Sequence, residues 1–253
     1  MKTLYLDIFS GISGDVFIGA MLDLGVDFHQ LQHALEKLGL GGYHLHAARQ
    51  QRSNIEGIKF DVHLENHHHH EHTQARDTTD SHESHQPEHS HSHHHKHEAY
   101  DEHEHSHSHE AESEHGRHFA EIKKLISEST LSEWIKQKAI SVFYRVAVAE
   151  GKIHGHPPND VHFHEVGAVD SIIDIVGACL CLEMLGQPRV LAANVVEGTG
   201  WVDCAHGRFP VPTTATLEIL GARRIAVTQC AEPHELGTPT GAALLAEFAE
   251  TFG

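Results

Sequence analysis

The sequence predicts an α/β protein: a mixed sheet with packed helices, interrupted by a long disordered His-rich insertion. Three observations lead there. Short apolar runs alternate with helical patterns along most of the chain, the signature of helices layered on a sheet. The stretch 66–117 is built from His, Glu, Asp and Ser with almost no aliphatic residues, and cannot bury enough apolar surface to order itself. Without it roughly 200 residues remain, enough for a sizeable core. The organisation expected is an N-terminal α/β segment at 1–65, the insertion at 66–117, and an α/β segment at 118–253 that completes the same domain or forms a second subdomain.

Thr3 to Ile8 reads as a buried strand entering a Gly/Ser turn, Phe9-Ser10-Gly11-Ile12-Ser13-Gly14. A helix follows from about Asp15 to Leu24, closed by Gly25, and another from Asp27 as N-cap to Leu38, ended by Gly39. Tyr43–Arg49 and Ile55–Leu64 alternate in strand fashion around Ser53-Asn54 and predict a hairpin. Beyond the insertion come helices at about Phe119–Ser129 and Ser132–Ile153, then a break at His154-Gly155-His156-Pro157-Pro158. A short extended piece, Val161–His164, leads into a helix at about Val166–Leu185. Val190–Val196 reads as a strand, Glu197–Pro212 as a loop, Thr213–Leu220 as a helix and Arg224–Thr228 as a strand. The final helix, about Pro239–Phe252, carries Pro in its first turn, where the missing N–H costs nothing.

The chain has a formal charge of −18, and 13 acidic residues in 65–117 against Arg76, Lys96 and Arg117 account for −10 of it. A nucleic-acid partner is excluded, since backbone phosphates need a basic patch. No apolar run approaches a membrane span, and no signal-peptide pattern opens the chain. Cys179, Cys181, Cys204 and Cys230 form no Cys-x-x-Cys pair. The expectation is reduced, mostly buried thiols in a cytoplasmic protein.

Between His67 and His118 lie 19 of the 30 histidines. They are densest at His67, His68, His69 and His70, at His93, His94 and His95, and at His103, His105, His107 and His109. Neutral imidazole suits Zn, Cu, Fe and Ni, so the tract reads as a reservoir for a borderline transition metal. What the metal is for must come from the flanking sequence.

Four ordered motifs offer chemistry. In Asp7 to Asp15, a strand ends at one carboxylate and a second opens a helix across a glycine turn. Exposed N–H groups at that helix start suit an anion, and Asp7 with Asp15 suits a hard cation. The same spacing also describes a tight turn with Asp15 as cap. It is not a Walker A loop, because no Gly-Lys-Ser/Thr follows. In His162-Phe163-His164-Glu165, an extended backbone puts both imidazoles on one face with Phe163 toward the core, and Asp170 and Asp174 follow on one helix face. Two imidazoles with nearby carboxylates fit a first-row metal, as they also fit packed histidines beside solvated acids. His206-Gly207 before Pro210 and Pro212 is the third. The fourth runs from His234 to Gly241, where Thr238 and Thr240 at a helix start suit either an anionic ligand or simple capping. His29 with His33 could chelate at i,i+4, as could His44, His46 and His63 across the hairpin, but single pairs like these are more often surface histidines. No Ser/His/Asp triad or Gly-x-Ser-x-Gly elbow is present.

Taken together, Asp7–Asp15, Val161–Gly177, His206–Pro212 and Glu235–Ala243 resemble the N-terminal portion of the LarC family, the nickel-insertion proteins of nickel-pincer cofactor synthesis. The likeness covers essentially the whole chain outside the tract. It implies an enzyme, a nickel chelatase that inserts Ni(II) into pyridinium-3,5-bisthiocarboxylic acid mononucleotide to form the (SCS)Ni(II) cofactor of lactate racemase-type enzymes. It implies CTP with Mn(II) or Mg(II), used through a C-terminal region that this chain lacks, and a partnership with that region or with lactate racemase apoprotein. Gly237 and Thr213-Thr214 depart from the family pattern. With that activity in view, the ordered clusters suggest a division of labour: His162, His164 and Glu165, with Asp170, His206 and His234, are expected to hold the metal ion. Ser10, Gly11, Ser13, Gly14, Asp15, Thr238, Thr240 and Gly241 are expected to form the phosphate- or substrate-binding set, and the catalytic residues stay unassigned. The alternative is a His-rich nickel store without insertion activity.

Overall fold

The computed structural model of the chain describes residues 2–65, 116–204 and 207–253. The tract histidines from His67 to His109, and His206, lie outside the described residues.

The elements in order are β1 (Thr3–Leu6), α1 (Gly14–Asp23), α2 (Phe28–Glu36), β2 (Tyr43–Arg52) and β3 (Ile55–Leu64). After the insertion come β4 (Arg117–His118), α3 (Phe119–Glu128), α4 (Glu133–His154), β5 (His162–Phe163) and α5 (Val169–Met184). Then follow β6 (Arg189–Ala192), β7 (Val195–Glu197), β8 (Trp201–Cys204), β9 (Gly207–Pro210), α6 (Thr214–Ala222), β10 (Val227–Gln229), α7 (Pro239–Phe248) and β11 (Ala249–Phe252). A parallel three-stranded sheet has the order β1-β6-β11, and β7 pairs with β10, also in parallel. The pairs β2-β3, β4-β5 and β8-β9 are antiparallel. The architecture is α/β with mixed pairing.

Helix α5 is the hub. Ile172, Ile173, Ile175, Val176, Ala178, Cys179, Cys181 and Leu182 are all buried, so its apolar surface runs right round, the pattern of a helix enclosed by others. It packs against α1, α2, α4 and α7. Burial raises the thiols of Cys179 and Cys181, keeping them protonated apolar fillers. Core residues come from both sides of the insertion, with Phe17, Ile18 and Leu35 in the same cluster as Phe143, Ile173 and Leu245. The segments flanking the tract therefore share one core.

Local chemistry sets the boundaries. The Asp27 side chain accepts from Gln30 N at 2.8 Å and caps α2. The Ser132 hydroxyl accepts from Ile135 N at 3.2 Å and caps α4, which ends at Gly155 in the left-handed region. Ser53 and Asn54 both have positive φ, 48° and 67°, giving the hairpin a two-residue turn that matches the strand twist. Glu247 of α7 accepts from Lys138 (2.7 Å), Ser141 (2.7 Å) and Arg145 (2.8 Å) of α4. Its burial pushes the carboxyl up, but these donors together hold it below the ordinary range and pin α7 to α4.

Three expectations are corrected. The Val190–Val196 strand divides: β6 joins the main sheet while β7 turns away to β10, with Ala193 N donating to Leu6 O at 2.8 Å between them. Alternation of side chains cannot reveal a change of sheet. The Glu197–Pro212 loop contains the β8-β9 hairpin, whose four-residue strands are too short to register as a pattern, with Gly207 and Pro210 at the ends of β9. The last helix stops at Phe248, and Ala249–Phe252 pairs with β6, where Arg189 Nε meets Glu250 at 2.6 Å. Phe248 and Phe252 keep helical spacing, but the unpaired edge of β6 captures the backbone, a tertiary override of local pattern.

One seam joins the two ends of the described chain. Ile12 bridges Gly237 in parallel, and its carbonyl accepts from Thr238 N at 3.0 Å. The approach requires glycine: a Cβ on Gly241 would stand 2.1 Å from Ile12 O, and one on Gly11 (φ +81°) 2.0 Å from Leu236 O. In an ordinary helix Gly to Ala adds about 1 kcal/mol of stability. Gly241→Ala is expected to do the opposite, lowering the denaturant midpoint by an amount corresponding to about 1–3 kcal/mol. An unchanged or raised midpoint would show that the seam yields freely.

Candidate functional site

The loop between β1 and α1 and the turn that opens α7 are more than 220 residues apart in sequence, yet the Ile12–Gly237 bridge sets them side by side. Two of the four sequence motifs thus become one place. On the α1 side, Ser13 Oγ donates to Asp15 Oδ1 in a short contact. The carboxylate of Asp174, on α5, accepts from the backbone N–H of Asp15 and so occupies the start of α1 itself. Gly14 admits it, since a Cβ there would meet Asp174 Oδ2 at 2.7 Å. Burial, then the charges of Asp15 and Asp170, raise Asp174 to about 8, while the bond from Asp15 N opposes the rise. Its buried Oδ1 has no hydrogen-bond partner among the described residues. Three carboxylates therefore crowd one helix start.

On the α7 side, the Thr238 side chain accepts from Gly241 N at 3.2 Å and caps the helix, and Thr240 is buried. Beneath the turn lies Glu197 at the end of β7, a residue the motifs do not single out. It is fully buried, its Oε2 accepts from Leu236 N at 3.4 Å, and its Oε1 has no partner among the described residues. Burial raises its pKa against the pull of backbone bonds from Leu236, Gly198 and Gly237. A Cβ on residue 237 would stand 2.1 Å from Glu197 Oε1, so glycine there makes room for the carboxyl. The only cue in the sequence is an apolar run, Val195-Val196, ending in a carboxylate before Gly198.

The His162-Phe163-His164-Glu165 segment follows the expected geometry. β5 buries Phe163, while the rings of His162 and His164 lie 5.0 Å apart and nearly perpendicular. His162 also packs edge-on to His118, at 4.8 Å across the β4-β5 pair. His162, His164 and Glu165 line a cavity of about 150 Å³ together with His154, Glu150, Asp203, Cys204, Thr213 and Glu235, on an apolar wall of Phe163, Val166, Val202 and Phe209. Glu235 is raised chiefly by burial and further by the charges of Glu197 and Glu165, against a hydrogen bond from Thr213. Imidazoles, a thiol and mutually repelling carboxylates thus share one recess.

The remaining sequence candidates fall elsewhere. Asp170 is exposed in the first turn of α5, beside Asp174 rather than in the cavity lining, and His234 is exposed outside it. His206 lies outside the described residues. Among the described residues, the one set of three side chains whose ligand atoms all lie within 4.8 Å of one another is His46, Asp61 and His63, on the hairpin. No helix among them is long and apolar enough to cross a membrane.

A layered α/β unit with a recess of nitrogen and oxygen donors and a carboxylate-lined seam presents the donor types that a first-row metal ion takes. Residues 4–253 match the family described as nickel insertion protein, and the chain belongs to that family. It is 42% identical over 263 residues to a protein of Lactiplantibacillus plantarum, covering all of this chain and 54% of the relative. It is 40% identical over 257 residues to one of Geobacillus kaustophilus, covering all of this chain and 52% of the relative. Both relatives are named pyridinium-3,5-bisthiocarboxylic acid mononucleotide nickel insertion protein. The chain spans about half the length of the curated relatives it matches. No solved structure matches it.

Asp174 provides a stability test. Between the ordinary carboxylate range and about 8, the folded chain keeps this proton while the unfolded chain has lost it. The folded state then binds more protons, so stability falls as pH rises, by up to about 1.4 kcal/mol per unit from this group. Asp174→Asn is expected to flatten that slope in chemical denaturation series from pH 5 to 8. A variant whose slope matches the parent's would place the charge burden elsewhere.

Proposed function

We propose that this chain is the nickel-handling part of a nickel chelatase, delivering Ni(II) to pyridinium-3,5-bisthiocarboxylic acid mononucleotide to form the (SCS)Ni(II) pincer cofactor. One observation carries the reading: the recess that holds His162, His164, Glu165 and Glu235. Its volume of about 150 Å³ is below the roughly 300–1,000 Å³ of pockets that enclose whole small molecules. It suits one ion and the edge of a ring better than a complete mononucleotide. Burial and neighbouring carboxylates make the Glu235 charge costly, a cost that an entering cation removes.

Imidazole nitrogens and carboxylate oxygens hold the ion at His162, His164 and Glu165. Asp170, His206 and His234 are the outer candidates of this set. Two thiocarboxylate sulfurs of the substrate, softer donors, then replace the protein's ligands, and the ring carbon between them gives up its proton to a carboxylate so freed as the nickel–carbon bond forms, with the metal remaining Ni(II). The loop Ser10, Gly11, Ser13, Gly14 and Asp15 and the turn Thr238, Thr240 and Gly241 receive the phosphate end. The Asp15 carboxylate repels a bare phosphate, so a divalent cation between it and the phosphate completes this half. CTP with Mn(II) or Mg(II) acts through the C-terminal region of the longer relatives, in a cytoplasmic setting, and the product serves lactate racemase-type enzymes. The histidine tract, from His67 to His109, gathers the metal through many exchangeable sites.

A nickel-insertion assay with substrate, CTP and saturating Ni(II), run with and without the C-terminal region and read by mass spectrometry of the nickelated product, tests this. Deleting 66–115 is expected to leave product formation intact at saturating metal. His162→Ala with His164→Ala is expected to lower it by at least roughly 10–100-fold, the scale seen when even the outer partners of metal ligands are removed. Full activity in the double variant would overturn the assignment. Loss of all product in the deletion, with nickel still saturating, would favour the storage reading.

A further inference from the structure

The β2-β3 hairpin carries histidines on the face opposite its packing surface, and its register decides what they can do. His44 faces His63 across the ladder, and His46 faces Asp61. Two successive cross-strand pairs thus place four potential ligands on one face. The other face is fixed: Phe60 is buried, and α1 presses on β3 so closely that a Cβ on Gly19 would stand 2.4 Å from Ile58 O. His63 stacks on His44 with centroids 5.1 Å apart and planes 11° off parallel, and the His46 ring meets it edge-on at 6.2 Å.

We propose that His46, Asp61 and His63 form a binding site for a divalent transition-metal ion, separate from the His162 recess and sharing no residue with it. Their ligand atoms lie within 4.8 Å of one another. Three donors at about 2.0–2.2 Å from one ion stand about 3.3–3.6 Å apart in a tetrahedral site, so side-chain adjustments of about an ångström, within reach of exposed rotamers, close the set on the ion. Two imidazoles and one carboxylate select a borderline ion such as Ni(II), Co(II) or Zn(II) over Mg(II) or Ca(II), which take oxygen ligands. Three protein ligands leave coordination positions open, as an exchangeable site requires. Asp61 Oδ1 pairs with Lys59 Nζ at 2.5 Å, which leaves its second oxygen to the metal. Strand backbones packed on a helix hold such ligands more precisely than a loop does. The position has a further consequence: β3 ends at Leu64, and the tract's first histidine is His67. A site here is an ordered station at the root of the reservoir.

Ni(II) titrated into the full ¹⁵N-labelled chain tests the site through paramagnetic broadening of assigned amides. Amides at 44–46 and 61–63 are expected to broaden in the first additions. In His46→Ala with His63→Ala they are expected to stay sharp until roughly tenfold more metal is present. Asp61→Asn, which changes no volume, is expected to shift the response in the same direction, and His29→Ala with His33→Ala to leave it unchanged. Metal-free spectra of each variant report the fold. Hairpin amides that broaden equally in parent and double variant would overturn the site, since the tract alone would then bring the metal near. So would hairpin amides that stay sharp in the parent. Neither result depends on insertion activity.

Discussion

The carbonyl of Ile12 is the point on which the arrangement turns. It accepts from Thr238 N and lies against Gly241, so the start of α1 and the start of α7 meet backbone to backbone. Such contact is closer than side chains allow, and Gly11, Gly237 and Gly241 stand where a Cβ would strike the facing chain or the Glu197 carboxyl below it. Gly14 repeats the device one turn later, admitting Asp174 from α5. The seam brings the β1-α1 loop, the hub helix and the α7 turn into one structure. With Glu235 only two residues before the bridge, it also fixes the carboxylate that enters the recess.

Four buried or half-buried carboxylates respond to their surroundings in opposite ways, and the contrast separates support from chemistry. Glu247 has two cations and a hydroxyl aimed at it, and is held below the usual range. Asp174, Glu197 and Glu235 have burial and neighbouring acids instead, and all are raised. Glu247 is a fastener between α4 and α7. The other three are carboxyls whose charged form the protein does not itself stabilise, and they lie along the seam and recess. Only Glu235 of the three lines the recess, and raised groups of this kind make the stretch a candidate site.

Much of this was legible in the sequence, and the rest was hidden for identifiable reasons. Asp27, Ser132 and Gly155 mark helix ends because capping is local chemistry. The β6-β7 division and the β11 strand escape because they depend on which edge is left unpaired, a property of the assembled sheet. The motifs at Ser10–Asp15 and Thr238–Gly241 can each be read alone, but nothing local says that they touch. Glu197 belongs to no motif. The hairpin is the opposite case: a two-residue turn at Ser53-Asn54 already sets His44 against His63 and His46 against Asp61. What the sequence reading of those histidines lacks is Asp61, which the register brings beside His46 and His63.

The proposed reading asks the protein to hold a metal and then surrender it, and the donor sets are graded for that. A closed four-ligand thiolate site would bind too well to release. Imidazole-rich sequence binds through many interchangeable partners, three hairpin donors leave positions open, and the recess adds carboxylates whose charge is costly without a cation. Each of these sets uses nitrogen and oxygen donors of intermediate softness. A substrate offering two sulfurs therefore wins the ion by donor chemistry, without the protein needing to change shape. Cys204, half-buried in the recess wall with Sγ turned to Gly207 O at 3.3 Å, is the one thiol among the described residues that line the recess. A single thiol against a two-sulfur chelate leaves the balance with the substrate, which is the direction that insertion requires.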